Sequence, residues 1–329
     1  MQRLYSVSDV NEMIKQGKKL ILAGEENLLR QLEPGHWIAG TIPYFMSEKG
    51  GELNSDKIFV NELPRYIKKI RLNTYRESSI SKIYQDGFPG GLSIVIIPAS
   101  SPIHLSFAIN APNYDNFAMQ PLIGWISGIN LNQSGQSGAK VFFGENNKIL
   151  DNGAVAMHME LPQNKYAEID IVNIFSQGDG DTITFDSNGF SVKDAYINGE
   201  KTDFADYIKN SGIDTKLPLV ANYAGAMINI SFQAIDETEK RVDFYAPVFK
   251  GVEYKLAAPV GDYVTEFTRK MPTDDVDNIF FSCNCILNYL YSELEGKSTG
   301  GVTGPITFGE IAYQLVNQTL VYATIRDFE

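Results

Sequence analysis

From Pro121 onward, short apolar runs follow one another with turn chemistry between them, and this alternation confines the chain to a strand-rich fold. Runs at 123–129, 139–143, 154–161, 166–175, 181–185 and 191–197 have the length of single strands. Between them stand Gly144-Glu145-Asn146-Asn147, Asp151-Asn152-Gly153, Asp186-Ser187-Asn188-Gly189 and Asn198-Gly199. Asn, Asp and Gly are the residues that tolerate the backbone angles of tight hairpins. A second group of runs lies at 226–235, 243–249 and 253–259, and the chain closes on a β-like run at 319–325.

Helical patterns interrupt these runs. They cover 8–16, with Ser8 as N-cap and Gly17 as stop, then 25–32, 78–85, 102–109, 203–211 and 262–269. The apolar run 92–97 reads as a central strand, and 37–45 as a strand broken by Pro43. The expected fold is α+β, with two packed mixed β-sheet parts and helices on their outer faces. With 329 residues the chain is long enough for two such parts. Gly212, Asp214 and Pro218 break the pattern near 210–217, giving an N-terminal part at 1–212 and a C-terminal part at 213–329. No low-complexity linker separates them, so they are expected to pack together. One internal echo stands out: Trp37-Ile-Ala-Gly-Thr-Ile-Pro has the apolar and glycine pattern of Leu122-Ile-Gly-Trp-Ile-Ser-Gly, as a duplicated strand and loop would.

A net charge of −12 argues against nucleic acid or an anionic membrane surface as a partner. The one basic cluster, Lys68-Lys69-Ile70-Arg71, reads as the solvated side of a strand. The start carries no apolar core of a signal peptide, and no apolar run approaches 18 residues. Two cysteines separated by one residue make no disulfide framework. The expected location is cytoplasmic.

No metal or cofactor is expected. His36, His104 and His158 lack ligand spacing, and Cys-x-Cys is half of a zinc site. Alternation places Ala154, Ala156 and His158 on one strand face, where a hydrogen-bonded or exposed histidine outweighs a ligand. Gly296-Lys-Ser-Thr-Gly fits the letters of a nucleophile elbow but lacks the strand before it and the helix after it.

The segment Ile279-Phe-Phe-Ser-Cys-Asn-Cys-Ile-Leu-Asn-Tyr-Leu carries both cysteines at a change from strand to helix. A thiol there lies near unpaired N–H groups and the positive end of a helix dipole, which favours thiolate. The alternative is a pair of small buried hydrophobes at a packed junction.

Five pieces in order resemble the FIST sensory domain, N-terminal part followed by C-terminal part. They are Gly35-His-Trp-Ile-Ala-Gly-Thr-Ile; Pro121-Leu-Ile-Gly-Trp-Ile-Ser-Gly through Asn152-Gly-Ala-Val-Ala; residues 192–207; residues 279–285; and Gly309-Glu-Ile with Asn317-Gln-Thr-Leu. The resemblance implies a cytoplasmic sensory protein that binds a small molecule, an amino acid or another metabolite. It leaves no output region within the chain, so a signal is expected to pass through a protein partner or a homo-oligomer. The expected ligand-binding residues are Cys283, Asn284, Glu310 and Asn317, gathered at strand ends with a pocket between the two parts. Two other functions remain open: a thiol-dependent enzyme using Cys283 or Cys285, and a non-catalytic scaffold protein.

Overall fold

Apolar strands joined by a helix pair in parallel here: Ile279–Cys285 runs parallel to Gly304–Thr307 across helix Ile286–Tyr291, and two further pairs organise the facing sheets. The computed structural model describes residues 3–133, 138–223, 225–272 and 276–328. Strand Leu20–Gly24 runs parallel to Trp37–Thr41, with helix Glu26–Leu29 between them. Strand Leu92–Pro98 runs parallel to Leu122–Ser127, with helix Pro102–Asn110 between them. An antiparallel return strand lies beside the first member of each pair, Ile58–Glu62 in one case and Ala154–Met159 in the other. Leu4–Tyr5 and Ile70–Tyr75 then pair with those return strands. A hairpin flanks the second member of each pair: Val141–Phe143 with Lys148–Leu150, and Glu310–Ala312 with Gln314–Val316. The two six-stranded sheets therefore share one strand plan, and the echoed segments around Trp37 and Leu122 occupy equivalent strands in it.

The sheets face each other through Ile21, Ile38, Ile94, Ile96, Ile123 and Trp125, which belong to one buried apolar cluster. Facing residues differ in size where they must. A Cβ at Gly40 would lie 2.6 Å from Ile96 Cγ2 and 3.1 Å from Trp125 Nε1, so the missing side chain on one sheet makes room for the indole on the other. Helices cover the outer faces. Val10, Ile14, Leu28 and Leu29 pack on Leu20, Leu22, Trp37 and Ala39 of the first sheet. Ile103, Phe107 and Ala108 pack in the cluster that holds Val95, Ile97 and Ala156 of the second.

A third sheet joins Lys165–Val172, Leu320–Asp327, the cysteine strand Ile279–Cys285, Gly304–Thr307, Tyr44–Ser47 and Gly50–Leu53. A fourth runs from Glu200–Asp203 to Ala226–Ile230, and a small sheet combines Gly189–Val192, Arg241–Val248 and Phe232–Asp236. The α+β class with helices outside is what the chain forms. The break expected near 210–217 falls between helix Phe204–Asn210 and strand Leu219–Tyr223. Among the described residues, four of the five sheets take strands from both sides of it.

Local differences have local causes. The first helix is Val7–Lys15 and its cap is Ser6, not Ser8, because Ser6 and Asp9 form a reciprocal capping box. The helix expected at 78–85 shrinks to a 3₁₀ turn at Ile80–Lys82. The run 191–197 divides: Ser191 and Val192 pair with Arg241–Val248, while Asp194–Ile197 turns into another sheet. Among the described residues, no helix is long and apolar enough to cross a membrane.

Candidate functional site

The expected site residues all lie inside the protein. Cys283, Asn284, Glu310 and Asn317 are each no more than 2% exposed. Alternation along Ile279–Cys285 sends both thiols to one face and Asn284 to the other. Cys283 Sγ donates to the Gly124 carbonyl at 3.3 Å. Cys285 hydrogen-bonds to Glu310, whose carboxyl also accepts from Thr319 Oγ1 at 2.8 Å and Thr307 Oγ1 at 3.4 Å. Cys283, Cys285 and Glu310 thus come together. Asn284 instead accepts from Asn288 Nδ2 at 2.9 Å, and Tyr263 donates to Asn288 from above.

Asn317 belongs to the next stretch of the same polar seam. Its Nδ2 donates to Ser231 Oγ at 2.9 Å and its Oδ1 accepts from the Ala246 N–H at 3.3 Å. Ser231 Oγ donates to Gln318 Oε1 at 2.6 Å, and Gln318 reaches Tyr263. Gln318 holds φ of +52°, a left-handed conformation uncommon for a residue with a side chain.

Burial decides the electrostatics here. Desolvation pushes Glu310 well above the usual carboxylate range, although donors on Thr319, Cys285 and Thr307 oppose it. Cys285 does cap helix Ile286–Tyr291, as the sequence pattern anticipates. Burial, followed by the nearby Glu310 carboxylate, nevertheless drives both thiols upward. The helix end therefore does not yield a thiolate. The seam is a closed, hydrogen-bonded interior whose neutral forms are favoured.

An open site lies elsewhere. Strands Ile70–Tyr75 and Leu92–Pro98 are both antiparallel to Ala154–Met159, so they run in the same direction. At the carboxyl end of Ile70–Tyr75, the edge strand Lys148–Leu150 of the first sheet and helix Pro102–Asn110 leave a cleft of about 980 Å³. Arg76, Glu77, Ser79, Ser106, Lys148 and Asn152 are among the residues that line it. Asn152 also accepts from the Ile103 N–H at 3.3 Å, which fixes the cleft wall to the start of the helix. All its lining residues precede Ala154, so it is not a pocket between the N- and C-terminal parts.

Tyr75, at the floor of this cleft, opens a chain of hydrogen bonds into the second sheet. Its hydroxyl donates to Asp86 Oδ2 at 2.8 Å and meets His158 Nε2 at 2.9 Å. His158 Nδ1 lies 2.7 Å from Ser93 Oγ. Desolvation lowers His158 to about 4, so the ring is neutral near pH 7. His158 is the hydrogen-bonded histidine that its strand position implies. The rest of the chain was not read from the sequence. Its one visible signal is Ser93, the single hydroxyl in the apolar run Leu92-Ser-Ile-Val-Ile-Ile.

A family model described as a family of unknown function, DUF6976, matches residues 5–326, and the chain belongs to that family. This corrects the resemblance to the FIST sensory domain. The glycines that carried it have local packing reasons: a Cβ at Gly124 would sit 1.8 Å from the Val95 carbonyl oxygen. No curated protein and no solved structure matches the chain.

Proposed function

We propose that the protein binds a small, negatively charged polar metabolite, such as an amino acid or another carboxylate, in the cleft above Tyr75. The observation that supports this is the lining: two cationic side chains, Arg76 and Lys148, outnumber the one carboxylate, Glu77, around a space that also presents Ser78, Ser79, Ser106 and Asn152. Guanidinium, ammonium and hydroxyl groups together suit a carboxylate with further hydrogen-bonding groups. The position agrees with the tendency of α/β sheets to take ligands beyond the carboxyl ends of their strands. A response to the ligand would be passed to a protein partner or a second copy of the chain.

Thermal-shift measurements with amino acids, dicarboxylates and phosphorylated metabolites test the reading. A ligand at 100 times its Kd stabilises the folded state by about 2.7 kcal/mol. Arg76→Ala with Lys148→Ala should abolish the shift while leaving the unliganded midpoint nearly unchanged, because both side chains are exposed. An anionic ligand that binds the double variant as tightly as the native protein would refute the assignment, as would the absence of any stabilising compound.

A further inference from the structure

We infer that Ser93 and His158 form a latent nucleophile–base pair for acyl transfer, covered by the glycine-rich loop 86–91. The inference goes beyond the binding cleft: the pair lies on the same face of the second sheet, toward the start of strand Leu92–Pro98. It begins with the hydrogen-bond directions. The Asp86 carboxylate accepts the Tyr75 hydroxyl proton at 2.8 Å, so the Tyr75 oxygen is left to accept from His158 Nε2–H at 2.9 Å. Asn73 Nδ2 donates to the same oxygen at 3.1 Å. His158 Nδ1 is then the acceptor, and Ser93 Oγ–H donates to it at 2.7 Å. The imidazole is held in one tautomer with its basic nitrogen on a serine hydroxyl. This is the arrangement a general base needs, with a tyrosine inserted before the carboxylate.

Ser93 and His158 are a directly opposed cross-strand pair, so the sheet itself fixes their separation. What closes the pair off is the loop. The loop backbone passes close to the hydroxyl: a Cβ built at Gly87 would be in van der Waals contact with Ser93 Oγ, at 3.4 Å. The buried Gln120 Oε1, unpartnered among the described residues, belongs to a side chain bordering the same point. The loop is held by a latch. The Phe88 ring has Lys69 Nζ 4.7 Å and Arg71 Cζ 4.8 Å from its centroid, and Arg71 donates to the Asp86 carbonyl at 2.7 Å. These contacts involve exposed cations, so the latch is weak compared with the core beneath it.

A groove of about 600 Å³ borders the loop at Pro89, with Lys68, Leu161 and the Lys69–Glu160 ion pair at 3.2 Å on its wall. The substrate class that fits is a small ester. In the acylation step, Ser93 Oγ bonds to the carbonyl carbon as its proton passes to His158 Nδ1. The ester C–O bond breaks, and the leaving alcohol takes that proton. Water, deprotonated by His158, then cleaves the acyl–Oγ bond and regenerates the serine.

A fluorophosphonate probe on the full chain tests this, since it forms an Oγ–P bond and expels fluoride. The expected result is an adduct mapped to Ser93 by mass spectrometry and lost in Ser93→Ala. Loosening the latch with Phe88→Ala should raise the labelling rate roughly 10-fold, and His158→Gln should lower it roughly 100-fold. Ser93→Cys gives a readout that does not depend on the histidine variant folding. The thiol it introduces should be alkylated by iodoacetamide in the folded protein far faster than Cys283 or Cys285. Absence of a Ser93 adduct in both the native protein and Phe88→Ala overturns the inference. So does an introduced thiol no more reactive than the two buried native ones.

Discussion

Replacing Glu310 by Gln should stabilise the protein at neutral pH, by an amount that grows with pH. Glu310 is fully buried, and among the described residues no cation acts on it. Its acceptors meet Thr307, Thr319 and Cys285. Hydrogen bonds to a charged acceptor are worth about 1.5–3 kcal/mol each, but removing a lone carboxylate from water costs several kcal/mol, and burial prevails. The folded pKa is raised, so the folded state keeps a proton that the unfolded chain loses near pH 4.3. Stability contributed by the protonated acid is complete below the unfolded pKa and is lost as pH rises toward the folded pKa. The slope is about 1.4 kcal/mol per pH unit while the folded protein alone holds the proton. Glutamine copies the neutral acid and has no such slope. Between pH 5 and 7 the stability of Glu310→Gln relative to the native protein should therefore rise by about 2.7 kcal/mol if the proton is held throughout. The rise levels off at the folded pKa. Urea unfolding followed by tryptophan fluorescence measures it directly: Trp37 and Trp125 are both buried, and Trp125 is the strand partner of Glu310. A difference that stays constant across this range would refute the reasoning, because Glu310 would then titrate alike in both states.

Other consequences follow from burial and close approach. His104 and His158 are each lowered to about 4 by desolvation, so stability should fall as pH drops below 6.5, by up to about 1.4 kcal/mol per unit for each ring. His104→Asn should flatten that acid limb in chemical denaturation; an unchanged slope would show that His104 does not contribute. Both native thiols should resist alkylation in the folded protein and react only on unfolding, since they are buried and their pKa values are raised; native-state labelling at neutral pH would contradict this. Gly124→Ala should cost about 3 kcal/mol or more, because its Cβ would meet the Val95 carbonyl of the paired strand. Gly180→Ala, with nothing within 4 Å, should be close to neutral, and equal midpoints for the two variants would argue against the close approach.

The class of fold was legible because strand and helix periods are local properties. The run 92–97 is a central strand, helix 203–211 begins at Asp203 and stops before Gly212, and the strand-to-helix change at Cys285 lies where the pattern puts it. The echo between Trp37 and Leu122 was also a sequence signal, and the shared strand plan gives it a structural meaning. Burial of the cysteine strand could be read too, but not its electrostatic result. A helix N-terminus lowers a thiol pKa only if desolvation and a facing carboxylate do not outweigh it, and Glu310 arrives from another sheet. Pairing between distant strands lies beyond any local period, so the sequence could not show Lys148 and Arg76 lining one cleft, nor Ser93 opposite His158. It could not place Asp86 within reach of Tyr75 either. Those neighbours are decided by sheet register, in which one residue of slip exchanges the faces of a whole strand. The cleft and the serine–histidine pair therefore belong to the tertiary structure, while the alternating pattern that builds their strands belongs to the sequence.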